Sequence, residues 1–222
     1  MTGPADPVSP TSAHHAAIRL PLSVFHHLTF GNRRASSLTV KRRDTGDAAS
    51  SESDILRGAR KGNPEALEAL VALHQSSAFR VSLGILGDDA DAQDATQEGM
   101  VRALKGLAGF RGDSSFRTWL LAIVANVARD ILRRTSRRRE VPLDDDLAGN
   151  SPFGDGVVLQ SEVARVRALL AHLPEKQRLA VQLRIDDGLS FCEVGDVIGS
   201  SEGSARVNYH HGIRRLKEWL KE

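Results

Sequence analysis

Residues 190–214 read SFCEVGDVIGSSEGSARVNYHHGIR, and this stretch sets two helices around a tight turn. Ser190 and Glu193 form a capping box, in which each side chain satisfies a backbone donor of the other. Phe191, Val194, Val197 and Ile198 follow at helical spacing, Gly199-Ser200 supplies the stop, and Ser201 caps a second helix running to the C-terminus. A short helix, a turn containing Gly and a longer helix make a helix-turn-helix pattern. In the longer helix Ala205, Tyr209, Gly212, Leu216, Trp219 and Leu220 fall on one stripe suited to packing. Arg206, Asn208, His210, His211 and Arg214 point away from it. Arg offers donors to guanine or phosphate, and Asn can pair bidentately with adenine, so this face suits a DNA-reading helix. The polar face of a plain helical hairpin would look the same.

Upstream of this pattern, Pro174 opens a helix through about Arg184 that Asp187-Gly188 ends, and an apolar period resumes at Glu162 with Val163, Val166, Leu169 and Leu170. Residues 140–161 hold Pro142, Asp144-Asp145-Asp146, Gly149, Pro152, Gly154 and Gly156, the composition of a flexible, self-repelling linker. Before it lies a four-helix unit. Asp54 can cap a first short helix carrying Ile55, Leu56 and Ala59. Asn63 caps a second that begins at Pro64, carries Leu67, Leu70, Val71, His74 and Ala78, and ends at Leu86-Gly87. A third covers roughly 89–107. Phe110–Ser115 is a loop, and Ser114 or Ser115 caps a fourth helix reaching about Arg134. The expected architecture is all-α: a disordered extension over 1–52, a helical unit over 53–139, a linker over 140–161, and a second helical unit over 162–222 ending in the helix-turn-helix.

The composition agrees with a soluble, helix-rich chain: of 222 residues, 41% are hydrophobic, 26% charged and only 5% aromatic. The early apolar stretch Ala16–Phe30 is broken by Arg19, Pro21, His26 and His27, so neither a membrane span nor a signal peptide is expected. A single cysteine, Cys192, excludes an intramolecular disulfide and any multi-thiolate zinc site, in keeping with a cytoplasmic protein. The net charge of +2 conceals strong segregation. Residues 1–50 carry +3, 52–100 carry −5, 101–139 carry +8, 140–162 carry −6, 163–200 are neutral and 201–222 carry +2. A basic block of that size suits a polyanion, and the acidic block before it suits a basic partner.

Asp91, Asp94 and Glu98 stand at i, i+3 and i+7, with Gln97 beside them, so one helical face carries all four. Metal binding or acid–base catalysis would need His or further acid ligands that this helix lacks, and no metal site or cofactor is expected. Gly106, Gly109 and Gly112 follow a helix rather than a strand and lack the context of a phosphate loop. The pairs His14-His15, His26-His27 and His210-His211 diverge on a helix and suit no single metal. No catalytic constellation is recognisable, and the chain is not read as an enzyme.

Three motifs then coincide. DAQDATQE at 91–98, FRGDSSFRTWL at 110–120 and the helix from Asn126 to Arg134 resemble the second region of bacterial extracytoplasmic-function (ECF) sigma factors of the sigma-70 family. Leu173-Pro174-Glu175-Lys176-Gln177-Arg178 and the helix-turn-helix resemble their fourth region. The resemblance implies a promoter-specificity subunit of bacterial RNA polymerase that makes no phosphodiester bond itself. It implies that Asp91, Asp94, Gln97 and Glu98 dock on the clamp helices of the β′ subunit. Arg111, Ser114, Ser115, Asn126, Arg133 and Arg134 would bind the minus-ten element, a flipped base being read in the loop. Ser204, Arg206, Asn208, His210, His211 and Arg214 would bind the minus-thirty-five element, with the β flap as a further contact of the polymerase. An anti-sigma factor is the remaining implied partner. Phe110, Phe116 and Trp119 are candidate stacking platforms for such a base, although Phe116 and Trp119, on the inner side of a helix start, read as core. The pattern departs from the family at Ala122, Ala125, Asn208, His211 and Ile213, where relatives carry basic residues. The rival reading is a conventional helix-turn-helix transcription regulator that binds DNA without polymerase.

Overall fold

The computed structural model describes residues 45–139 and 168–220. The first group forms α1 (Thr45–Arg60), α2 (Pro64–Leu86), α3 (Asp89–Gly106), a 3-10 turn (Leu107–Gly109) and α4 (Phe116–Arg139). The second forms α5 (Glu175–Ile185), α6 (Phe191–Ile198) and α7 (Glu202–Trp219), preceded by helical residues 168–171. Strands are absent among the described residues. Residues 1–44 of the predicted extension over 1–52, and the predicted linker over 140–161, lie outside them, whereas residues 45–52 of that extension are helical.

Local chemistry sets most boundaries. The Asn63 side chain accepts from Ala66 N at 3.1 Å with Pro64 in the first turn, and Gly87 ends α2 at φ 75. Asp88 caps α3 by accepting from Asp91 N at 2.9 Å. Ser115 caps α4: its Oγ accepts from Thr118 N at 3.1 Å. Two boundaries differ from the sequence expectation. α1 starts at Thr45 rather than near Ser53, so Asp54 lies inside it and pairs with Arg57 at 2.8 Å. No Gly or Pro interrupts Asp47–Arg57, and the helix propagates through this polar run. α4 continues to Arg139 rather than Arg134, because Thr135–Arg139 contain no Gly or Pro to stop it.

α2, α3 and α4 pack against one another, with α1 laid on α2. Leu67, Leu70, Leu104, Leu107, Leu120 and Leu121 are fully buried between them, each worth ~2 kcal/mol of apolar transfer. Gly99 permits α3 and α4 to approach closely: a Cβ there would meet Val124 Cγ2 at 2.7 Å. α2 is long and apolar enough to cross a membrane by composition, but half of that stretch is buried inside the bundle, where its leucines form the core.

In the second group α6 and α7 meet at the predicted turn. Ser190 and Glu193 make the complete capping box, and Gly199 adopts φ 64. Gly195 lets the chain double back: a Cβ there would lie 2.8 Å from Ser200 O. α7 packs Ala205, Gly212 and Leu216 inward as expected, whereas Leu220 is 44% exposed, because the helix ends at Trp219 and turns it off the stripe. The two groups do not stand apart. α6 packs on α4 and α5 on α2, and one apolar cluster runs from Leu67 and Leu120 through to Leu183, Val197 and Ala205.

Candidate polymerase and nucleic-acid interfaces

The acidic stripe forms because α3 spends its other face on the bundle. Ala92, Ala95, Thr96, Gly99, Met100 and Ala103 are buried, and Thr96 is satisfied by donating to Ala92 O at 2.7 Å, with the Ser82 hydroxyl 3.1 Å from its Oγ1. This leaves Asp94 exposed and Asp91, Gln97 and Glu98 partly so, all on one outer face. Glu98 pairs with Arg102 one turn on. Such an exposed pair contributes little stability, so the stripe remains available to a basic surface. Among the described residues no group of three or more His, Cys, Asp or Glu is placed to hold a metal ion.

The loop between α3 and α4 is anchored by rings. Phe110 and Phe116 are buried and meet edge to face at 5.7 Å, Trp119 lies 5.0 Å from Phe110, and His74 stacks obliquely 5.4 Å from Phe116. Phe116 and Trp119 pack into the core as expected, Phe110 joins them rather than standing out as a stacking platform, and together they hold the loop's polar residues outward. His74 is 2% exposed; burial, reinforced by the Arg117 charge, lowers its pKa to about 4, so it is neutral near pH 7. Arg111 is exposed beside Asp113 at 3.0 Å, and Gly112 turns the loop at φ 84. Ser114 is half-buried and Ser115 exposed at the helix start. Asn126, Arg133 and Arg134 follow along the exposed side of α4. Asn126 Oδ1 lies 3.4 Å from Arg129 Nη1, and Arg133 pairs with Asp130. Ala125 is fully buried, which explains the absence of a basic side chain at that position.

On α7, Ser204, Arg206, His210, His211 and Arg214 are exposed and Asn208 is half-buried. Arg206 pairs with Glu202 at 2.7 Å and lies over the Phe191 ring at 5.0 Å. Asn208 donates to Ser204 O at 2.8 Å, which commits one of its amide donors to the helix itself. His211 and Arg214 line a shallow hollow with Arg215 and Glu218. Ile213 packs against Leu173, Val181 and Leu216 instead of facing outward, so no cation is possible there without loss of core.

The sequence reading missed a second set of polar residues, placed where α5 and α6 meet α2 and α4. Asp187, whose side chain is 1% exposed, accepts from Ser77 Oγ at 2.7 Å and Arg80 Nη2 at 2.5 Å, and pairs with Arg117. Arg117 Nη1 also donates to Asp187 O at 2.8 Å. Glu193 Oε1 accepts from Thr118 Oγ1 at 3.0 Å and Ser115 Oγ at 3.3 Å. Burial alone would raise the Glu193 pKa, but hydrogen bonds from Ser190, Thr118 and Ser115 outweigh it and hold the carboxyl below its usual range. Arg129 Nε donates to Glu175 Oε1 at 2.9 Å. In sequence Asp187-Gly188 reads as a stop and Glu193 as a cap. Their long-range partners leave only the charge segregation as a signal.

Residues 70–138 match the family described as Sigma-70 region 2, and residues 169–218 match Sigma-70, region 4. The RNA polymerase sigma-H factor of Pseudomonas aeruginosa is 30% identical over 168 residues, covering 70% of this chain and 86% of that protein. The ECF RNA polymerase sigma-E factor of Salmonella typhimurium is 31% identical over 167 residues, covering 68% and 85%. Two solved structures share the fold. CnrH in complex with the cytosolic domain of CnrY has a TM-score of 0.57 at 24% identity, covering 77% of this chain and 97% of that one. The sigma factor RpoE of Bartonella quintana, in complex with the anti-sigma factor NepR, has 0.55 at 19% identity, covering 68% and 94%. Two regions matched in the expected order, with identity over most of each relative, place this chain in the extracytoplasmic-function group of the sigma-70 family of RNA polymerase sigma factors.

Proposed function

We propose that the chain directs bacterial RNA polymerase to a particular set of promoters, and that it does so from the cytoplasm without catalysing any step itself. The observation that carries this reading is the pairing in one chain of an outward acidic stripe on α3 with two separate cationic faces, one on α4 and one on α7. Asp91, Asp94, Gln97 and Glu98 dock on the β′ clamp helices of core polymerase. Arg111, Ser114, Ser115 and Asn126 read the minus-ten element while Arg133 and Arg134 hold its phosphates. Ser204, Arg206, Asn208, His210, His211 and Arg214 contact the minus-thirty-five element, and the unit that bears them sits on the β flap. Domain limits of 45–139, extended from 53 to take in the whole of α1, and 162–222, with a linker over 140–161, fit these roles. An anti-sigma factor is the natural antagonist, as the Bartonella relative's complex with one suggests by analogy.

Run-off transcription with purified core polymerase and a library of genomic fragments tests the reading. Discrete transcripts that require the added chain support it. Tight, sequence-specific binding of the chain alone to duplex DNA, without stimulation of core polymerase, would instead favour a conventional regulator.

A further inference from the structure

The outer face of α7 holds a residue that the sequence reading left out. Val207 is 53% exposed, and among the described residues of α7 it is the one large apolar side chain so placed. At about 100° per residue it stands nearly opposite Ala205, Gly212 and Leu216, which face the core. Its neighbours one turn away, Gly203, Ser204, His210 and His211, are all exposed, and Arg214 follows a turn further on. Val207 therefore occupies the middle of the outward face, not its edge.

The polar side chains next to it in sequence are drawn aside. Arg206 pairs with Glu202 at 2.7 Å and lies over the Phe191 ring, and Asn208 donates to Ser204 O at 2.8 Å. A Cβ at Gly203 would meet nothing within 4 Å, so packing does not require glycine there, and bare helix is left beside Val207. A single exposed valine is ordinary on a protein surface. This one lies at the centre of a face that is otherwise polar and cationic, and a β-branched residue is a poorer helix former than alanine or arginine. Neither burial nor helix propensity accounts for it.

In the major groove a base pair presents donors, acceptors and one apolar feature, the C5 methyl of thymine. Valine neither donates nor accepts, so against such an edge it can favour only the methyl. Arg206, Arg214 and Arg215, all exposed on the same helix, supply the positive surroundings that a phosphate-lined groove attracts. We infer that Val207 is a specificity-determining residue: it packs on the C5 methyl of a thymine in the minus-thirty-five element and fixes a T·A pair at that step. The polar residues around it contact neighbouring base edges and phosphates. This rests on the assignment of α7 to that element and names what the centre of the helix reads.

The test uses holoenzyme, the full chain bound to core polymerase, and a duplex promoter recovered by run-off transcription from genomic fragments. Each thymine of its minus-thirty-five element is replaced in turn, on either strand, by deoxyuridine, which lacks only the C5 methyl. Competition binding gives the relative affinity of each substituted promoter for wild type and for Val207→Ser, and circular dichroism checks that the variant keeps its helices. The expected result is that one deoxyuridine weakens wild type about fourfold, the worth of one buried methyl group, and leaves Val207→Ser unaffected. On a library randomised across the element, Val207→Ser loses its preference for T·A at that pair alone. The methyl contact is overturned if every deoxyuridine is silent in wild type, if Val207→Ser loses as much on the same promoter, or if the element holds no T·A pair. The wild-type series needs no variant, so misfolding of Val207→Ser could not hide the answer. Chain-dependent transcripts with silent deoxyuridines would strike the role of Val207 alone, whereas the absence of any chain-dependent transcript would strike the promoter reading together with it.

Discussion

Thr118 Oγ1 donates to Glu193 Oε1 across 3.0 Å, joining the first turn of α4 to the first turn of α6. The other carboxylate oxygen accepts from Ser190 N at 2.9 Å, so Glu193 completes the helix-turn-helix cap and ties the two units together. Glu193→Ala should lower the stability of the chain by ~1–2 kcal/mol in urea unfolding, from the lost cap and the orphaned Thr118 hydroxyl. Glu193→Gln retains an acceptor for the Ser190 backbone and should lose less. The carboxyl is depressed in the folded chain, so its contribution is present above the unfolded glutamate pKa and fades as pH falls below it. Equal stability of Glu193→Ala and wild type at pH 7 would show that neither contact matters.

His74 sets a second pH dependence. With a folded pKa of about 4 against an ordinary 6.5, the unfolded chain binds the proton more readily between those values. Stability is therefore full above pH 6.5 and declines as the pH falls toward 4, by at most roughly 3 kcal/mol. The nearby Glu52 carboxylate, 3.2 Å from Nε2, tempers this by favouring the charged ring. His74→Leu should flatten the decline of thermal midpoint over that window. An unchanged slope would assign the acid sensitivity to other groups.

What the sequence made legible follows from where each signal resides. Asn63-Pro64, Gly87-Asp88 and the Ser190–Glu193 box act within three or four residues, and the structure begins or ends a helix at each. Thr45–Ser53 was missed because a polar run without a stop carries no apolar period, although helix can propagate through it once Ile55 and Leu56 are docked. Of the candidate sites, the acidic stripe and the outward residues of α7 were readable because helical periodicity alone separates the faces. The Asp187 cluster was not. Its partners lie 70 to 110 positions away, and only the docking of α5 and α6 brings them together.

The acidic stripe yields a third prediction. Asp94→Lys with Glu98→Lys should abolish capture by immobilised core polymerase while leaving the helical signal intact, because both side chains lie on the outer face of α3. Retention at wild-type level would remove the stripe from the docking interface.

A fourth prediction separates reading from holding. Asn126 presents an amide that both donates and accepts, whereas Arg133 and Arg134 offer only donors. Asn126→Ala should change which minus-ten sequences are transcribed, by ~1–3 kcal/mol at the affected base. Neutralising Arg133 and Arg134 should weaken all promoters about equally and reduce the salt slope by roughly one phosphate contact each. Transcription from a library randomised across the minus-ten element, at two salt concentrations, distinguishes the two. Unaltered preference in Asn126→Ala would shift base reading to Ser114 and Ser115.

This chain selects where polymerase begins. Mapping transcript 5′ ends produced by core polymerase on genomic DNA, with and without the chain, tests it most directly. The expected result is new starts that appear only with the chain, each preceded by a shared pair of elements near −10 and −35, and that disappear when either element is scrambled. Identical 5′ ends with and without the chain would contradict it.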